Sequence, residues 1–190
     1  MRVYLETERL VLRRFTEGDA GLLVELDGDP EVMRYLSGGS ATPREVIERE
    51  VLPRFLASYG RAVGFGTWAA VEKGSGEFVG WFGFNLHEEV GPGEVSLGYR
   101  LRRAVWGKGY ATEGARALLD KGFAVLGARR VYAETYEFNR ASRRVMEKLG
   151  MRHVRSLRRT DEEVAASGGM GVWEGDEVEY AITREEWEGM

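Results

Sequence analysis

Apolar and polar residues alternate over residues 9–16. Leu10 and Leu12 interleave with polar neighbours ahead of Arg13, Arg14 and Phe15, a two-residue period that predicts an opening strand. After Asp19, which can cap a helix, Leu22, Leu23 and Leu26 return at helical spacing until Gly28-Asp29-Pro30 breaks the run. A short second helical turn follows over residues 31–36. Thr42-Pro43-Arg44-Glu45 has the form of a capping box with proline at the first helical position, so a further helix should start there. It carries Val46, Ile47, Val51, Phe55 and Leu56. Pro53 should kink or divide it, since proline lacks an N–H and clashes with the preceding turn.

The period then changes. Residues 65–71, 78–86 and 94–101 are strand-like runs separated by Lys73-Gly74-Ser75-Gly76 and Gly91-Pro92-Gly93, which predicts an antiparallel meander. Over residues 110–126, Ala111, Ala115, Leu118, Leu119, Phe123 and Leu126 recur at helical period, with Gly127 as the stop. A strand over 131–136 follows, then a helix opened by Asn139 and closed by Gly150. Strands over 151–157 and 178–182 flank a polar stretch, 158–175, whose Gly168-Gly169 and Gly171 suggest a mobile loop. No repeat or linker interrupts the chain, so residues 1–190 read as one domain. Early helices, a meander, one β-α-β crossover and a closing strand pair predict an α+β fold with a largely antiparallel sheet.

Composition narrows the chemistry. A chain of 190 residues, 43% hydrophobic and 31% charged, can bury one sizeable core. No apolar run reaches the ~18 residues of a membrane span. Arg2, Glu6, Glu8 and Arg9 make the first residues unlike a signal peptide, so a cytoplasmic protein without a membrane partner is expected. The absence of cysteine excludes disulfides, Cys-ligated zinc and a cysteine nucleophile. His87 and His153 are the only histidines, too few for a His-based cluster, so no metal is expected. A net charge of −4 argues against a nucleic-acid partner.

The informative segment runs Val95-Ser96-Leu97-Gly98-Tyr99-Arg100-Leu101, then Trp106-Gly107-Lys108-Gly109-Tyr110-Ala111-Thr112. Glycines in such a turn let the backbone approach a bulky anion, and N–H groups of the following helix point at it. A diphosphate suits this arrangement. A P-loop would need Ser or Thr where Gly109 stands, and a Rossmann fingerprint would need glycine at Thr112, although Glu134 lies at a suitable distance for one. A strand–turn–helix without any ligand is the remaining alternative.

The stretch from Gly98 to Glu113 resembles the acetyl-CoA motif of the GNAT superfamily, most closely the ribosomal-protein alanine N-acetyltransferases of RimJ and RimL type. Further matches are Thr7-Glu8-Arg9-Leu10-Val11-Leu12-Arg13, Asp29-Pro30-Glu31-Val32-Met33-Arg34-Tyr35-Leu36, Asn139-Arg140-Ala141-Ser142, Glu147-Lys148-Leu149-Gly150-Met151 and Tyr180-Ala181-Ile182-Thr183-Arg184-Glu185-Glu186-Trp187. The resemblance implies a single domain with a mixed, mostly antiparallel sheet of six to seven strands, flanked by helices. A strand pair should splay at the site of acetyl-CoA, the co-substrate. It implies binding by Leu101, Trp106, Gly107, Lys108, Gly109, Tyr110, Ala111 and Thr112, with Asn139 on the pantetheine arm and Ser142 near the sulfur. Gly109-Tyr110-Ala111 fits the end of the superfamily's pyrophosphate signature, while Trp106 stands at its Gln/Arg position. Asn139 and Ser142 also suit the N-cap and third position of a helix, a role that coexists with binding.

Acetyl transfer needs a group to accept the amine proton, a donor for the oxyanion and a proton for the leaving thiolate. Without cysteine, direct attack in a ternary complex is favoured over an acetyl-enzyme. Ser142 can protonate the sulfur. Relatives of this type carry Glu at the place of Ser96, so the base moves to another carboxylate: Glu134 on the neighbouring strand, or Glu94 on the same face as Ser96. Tyr99, Tyr110 and Trp106 read as core or wall packing. The resemblance places the acceptor cleft between residues 35–42 and 158–173, for an amine acceptor that is a protein N-terminus or a small molecule. A monomer or homodimer is expected. A catalytically idle CoA-binding module on the same fold is the alternative function.

Overall fold

The computed structural model describes residues 2–158 and 176–190. Its sheet grows from the alternation already visible at Leu10 and Leu12, whose side chains are both fully buried. They lie on β2 (Leu10–Arg14), flanked by β1 (Val3–Glu6) and β3 (Gly66–Glu72). The meander continues through β4 (Phe78–Leu86) and β5 (Glu94–Leu101). Beyond these stand β6 (Arg130–Tyr136), β8 (Glu177–Thr183) and, at the edge, β7 (Arg152–Leu157), in the order β1-β2-β3-β4-β5-β6-β8-β7. Only β5 and β6 pair in parallel. The sheet therefore has eight strands where six to seven were expected. The added one is β1, whose few residues carry too short a pattern to read alone.

Helices cover both faces. α1 (Ala20–Asp27), α2 (Pro30–Ser37), α3 (Arg44–Val46) and α4 (Leu52–Ser58) close a core of Phe15, Leu23, Leu26, Ile47, Phe55 and Phe78. α5 (Tyr110–Ala124) and α6 (Arg140–Lys148) cover the larger core, which holds Trp68, Phe82, Phe84, Leu118, Leu119 and Met146. α5 comes very close to the sheet because Gly114 and Gly122 face it. A Cβ on Gly114 would run into the Phe82 ring, and one on Gly122 would stand 2.5 Å from Phe84 Cζ. Burying either phenylalanine contributes about 2–3 kcal/mol, so these glycines stabilise the crossover by admitting the rings.

Several local expectations are corrected. Asp19 occupies the N-cap position of α1, but its carboxylate accepts from Arg13 (2.7 and 2.8 Å) and from the Thr16 N–H (2.7 Å). Thr42 caps no helix; its hydroxyl donates to Asp27 at 2.9 Å, and Pro43 is the cap residue of α3. Pro53 does divide its helix, since a π turn over Ile47–Val51 separates α3 from α4, whose first turn holds the proline. A short α7 (Arg184–Glu188) follows β8, opened by a Thr183–Glu186 capping box. The loop expected over 158–175 lies, beyond Arg158, outside the described residues. No helix among the described residues is long and apolar enough to cross a membrane.

Candidate active site

β5 and β6 share only three registered pairs, Glu94 with Arg130, Val95 with Val131 and Ser96 with Tyr132. Beyond Ser96, β5 follows β4 as far as Leu101, while β6 follows β8 as far as Tyr136. The two strands therefore part, and the backbone facing the gap has no ladder partner between them. Such a gap offers N–H and C=O groups to an extended polar ligand.

The Trp106–Thr112 segment stands beside the end of β5. Gly109, the N-cap residue of α5, has φ +86°, a left-handed conformation that glycine adopts without steric cost. The first helical bond runs from the Glu113 N–H to the Gly109 carbonyl at 3.0 Å, so the N–H groups of Tyr110, Ala111 and Thr112 precede the intrahelical ladder. With the helix dipole, they form an anion cradle. Trp106 Nε1–H donates to the Leu101 carbonyl at 2.8 Å, tying the turn to the strand end. Arg9 holds the other side: its guanidinium donates to the Lys108 carbonyl (2.9 Å) and to Glu113 (2.7 Å). Burial opposes the charge on Glu113, but bonds from Thr7 and Arg9 outweigh it and hold that carboxyl below its ordinary value. Arg9 thus orients a cradle more than ninety positions away, a role no local pattern reveals. The cradle fits a diphosphate such as that of CoA.

Asn139 caps α6, accepting from the Ser142 N–H at 3.2 Å, as the local sequence predicts. Tyr99 on β5 crosses the gap to the same helix turn, with its hydroxyl 3.0 Å from Ser142 Oγ and 3.2 Å from the Ser142 carbonyl. Burial pushes the Tyr99 hydroxyl up to about 12, partly offset by the bond to Ser142. It therefore stays protonated at neutral pH. Tyr99 was read as packing; its pairing with Ser142 needs the β5–α6 approach and could not be found from spacing.

The opposite face of the gap carries the ionisable groups. Of the two candidate bases, Glu134 lies on β6 two residues past the last parallel pair, on the face of Tyr132. Partial burial raises its carboxyl, and neighbouring Glu177 and Glu179 raise it further against opposing effects from Arg155 and His87. Glu94 stands where β5 and β6 are still paired, 2.8 Å from Arg130, which also holds the buried Glu179 at 2.5 Å. The structure does not bring Glu94 to the open gap. On the α2 side, the Tyr35 hydroxyl donates to the Phe138 carbonyl at 3.1 Å, beside the gap. Tyr35, from the 35–42 segment expected to line the acceptor cleft, thus reaches just beyond the end of β6, whereas 159–173 lie outside the described residues.

A family model for an acetyltransferase (GNAT) domain matches residues 9–152. The FsC-acetyl coenzyme A-N(2)-transacetylase of Aspergillus fumigatus is 35% identical over 191 aligned positions, covering 96% of this chain and 77% of that protein. An acetyltransferase of the GNAT family from Bacillus anthracis superposes with TM-score 0.77 at 28% identity, covering 97% of this chain and 99% of that one. RimL, a ribosomal L7/L12 α-N-protein acetyltransferase solved with coenzyme A, shares the fold with TM-score 0.76 at 18% identity, covering 96% and 98% of the two chains. Relatives named for an activity are acetyltransferases, which leaves the idle binding module without support.

Proposed function

The chain belongs to the GNAT family and is an acyl-CoA-dependent N-acetyltransferase, and we propose that it acetylates a primary amine that arrives as a cation, by direct attack on acetyl-CoA. The observation carrying this reading is the parting of β5 from β6 beside the free first-turn N–H groups of α5. The diphosphate sits on the backbone of residues 107–112, and pantetheine runs along the gap past Leu101 and Asn139. In the reaction the ammonium first gives up one proton, the neutral nitrogen attacks the thioester carbon, the C–S bond breaks, and the thiolate takes a proton from a donor that the nitrogen's second proton restores. Ser142, hydrogen-bonded to the protonated Tyr99 hydroxyl, is the group placed to supply it. Glu134 holds the incoming ammonium, since an unneutralised carboxylate favours a positive guest.

Two sources of amine are consistent with the relatives. The resemblance to the RimJ and RimL branch makes a protein N-terminus one acceptor, and the Aspergillus protein, named for N(2) transacetylation, makes a small molecule the other. Incubating the protein with acetyl-CoA and an Ala-initiated peptide, spermidine or lysine, and reading free thiol, separates them. CoA at about 100 times its Kd should stabilise the fold by about 2.7 kcal/mol, or roughly 5–10 °C in Tm, with NAD and ATP far less effective. Stabilisation by NAD and not by CoA would mean that the cradle serves another ligand.

Glu134→Gln tests the acceptor side. The amine KM should rise about tenfold, a loss of ~1.4 kcal/mol, with CoA affinity unchanged. In the parent protein the same KM should climb as pH falls through the raised Glu134 titration, because protonation removes the charge that holds the ammonium. An amine KM that is identical in the Gln variant at every pH separates Glu134 from the acceptor.

A further inference from the structure

The only histidine near the gap was given no role by the sequence. His87 follows β4 in the turn to β5, and its N–H donates to the Glu94 carbonyl at 2.8 Å. Its ring sits between two side chains. Nδ1 is 2.8 Å from Glu89 Oε1, and Nε2 is 2.9 Å from Ser96 Oγ. An ionised carboxylate only accepts hydrogen bonds, so Nδ1 carries the proton. Nε2 then presents a lone pair to the Ser96 hydroxyl. Glu89 is held below its ordinary value, first by its bond to His87.

Ser96 stands at a particular place. It is the last β5 residue paired to β6, and its side chain lies on the face opposite the buried Val95 and Leu97. Its hydroxyl is therefore at the floor of the gap, on the side of Glu134. The imidazole faces Glu89 from its own turn, Ser96 from β5, and Tyr132 (6.0 Å between rings) and Glu134 from β6, with the Glu94–Arg130 pair adjoining. Its side chain is 32% exposed, so water reaches it.

We infer that Ser96, His87 and Glu89 form the proton-accepting chain of the transfer, with His87 as the terminal base. The assignment rests on the acetyltransferase reading above. Before attack, one proton of the bound ammonium passes to Ser96 Oγ, directly or through one water, while the Ser96 proton moves to His87 Nε2, and the freed lone pair then attacks the thioester. The hydroxyl is regenerated and the imidazolium is held by Glu89. Glu134 keeps its separate role of holding the ammonium. Three groups in this order follow the logic by which a hydroxyl, an imidazole and an orienting carboxylate share a proton. Here the hydroxyl relays the proton and forms no bond to the acetyl group.

The test compares pH–rate profiles of the parent, His87→Gln and His87→Gln/Ser96→Glu, using acetyl-CoA and the best amine of the panel. His87→Gln should lose about 10²-fold in kcat near neutral pH and lose the acidic limb of the profile. What activity remains should rise with pH only as the amine deprotonates in solvent. The double variant places a carboxylate at the gap floor and should regain at least about tenfold, with its limb moved to lower pH. Acetyl-CoA KM and Tm should stay close to the parent's in both. An acidic limb that persists in His87→Gln at the same pH as in the parent overturns the assignment, as does a kcat loss matched by an equal loss of CoA affinity. Failure of the parent to acetylate any amine would overturn the proposed function as well, which keeps the two failures distinct.

Discussion

Gly109→Val is expected to weaken CoA binding by at least about 100-fold while leaving the domain folded. The position has φ +86°, where a β-branched residue is strongly disfavoured, and it lies at the mouth of the α5 cradle. A diphosphate bound by the N–H groups of Tyr110, Ala111 and Thr112 must come within hydrogen-bond distance of this backbone. Valine places two methyl groups in that approach, and relief of its strain would rotate the donors away. The cost to the fold is that of one strained residue, about 1–3 kcal/mol, or a Tm drop of roughly 2–12 °C. Nothing but the Arg9 guanidinium, at 3.4 Å, lies near an added Cβ, so the core does not feel the change. Calorimetric titration with CoA, alongside thermal unfolding, reads the two effects separately. Unchanged affinity in a folded variant removes Gly109 from the site.

Asp27→Asn should be the most damaging conservative change on the acceptor side. Asp27 is 2% exposed and lies 2.5 Å from Arg100 on β5, while accepting from Thr42 at 2.9 Å. Arg100 is itself largely buried over the Trp81 ring, and its Nε is buried without a partner among the described residues. Removing the carboxylate charge strands that guanidinium, which costs about 3 kcal/mol, or roughly 6–12 °C in Tm for a domain of this size. Since Thr42 anchors residues 38–43 through the same carboxylate, the amine KM should rise with the loss of stability. Replacing both partners, Asp27→Leu with Arg100→Met, should recover most of the Tm because no buried charge remains. A loss below ~1 kcal/mol in Asp27→Asn would show that the pair does not hold α1 to the sheet.

Much of the site was legible before any contact was known. The Gly-Lys-Gly turn between a strand and an amphipathic helix announced the free donors at the start of α5, because backbone donors at a helix start depend on local conformation. Asn139 and Ser142 followed for the same reason, capping geometry being a matter of three residues. Less local features were misjudged. Thr42 looked like a helix cap and instead serves a carboxylate fifteen residues earlier, on another helix. Glu94 and Glu134 lie on matching faces of neighbouring strands, and both were candidates in sequence. What distinguishes them is where the two strands part.

His87 marks the boundary most clearly. The meander spacing set β4 against β5, and with Leu86 opposite Val95 the histidine falls opposite Glu94, two residues from Ser96 on the same strand face. That much was available from hairpin register, yet nothing local singled out a turn histidine as chemical. The sequence by itself determined the long strands and helices, the glycine turn ahead of α5 and that no cysteine chemistry operates, because each depends on periodicity, local turn geometry or composition, whereas the short β1 and α7 carry too little pattern to read. Only the tertiary structure decided which carboxylate meets the gap, that Tyr99 reaches Ser142, that Arg9 braces the cradle, and that Ser96, His87 and Glu89 stand in line. Those are contacts between segments distant in the chain or between side chains whose directions the packing sets, and no local propensity encodes them.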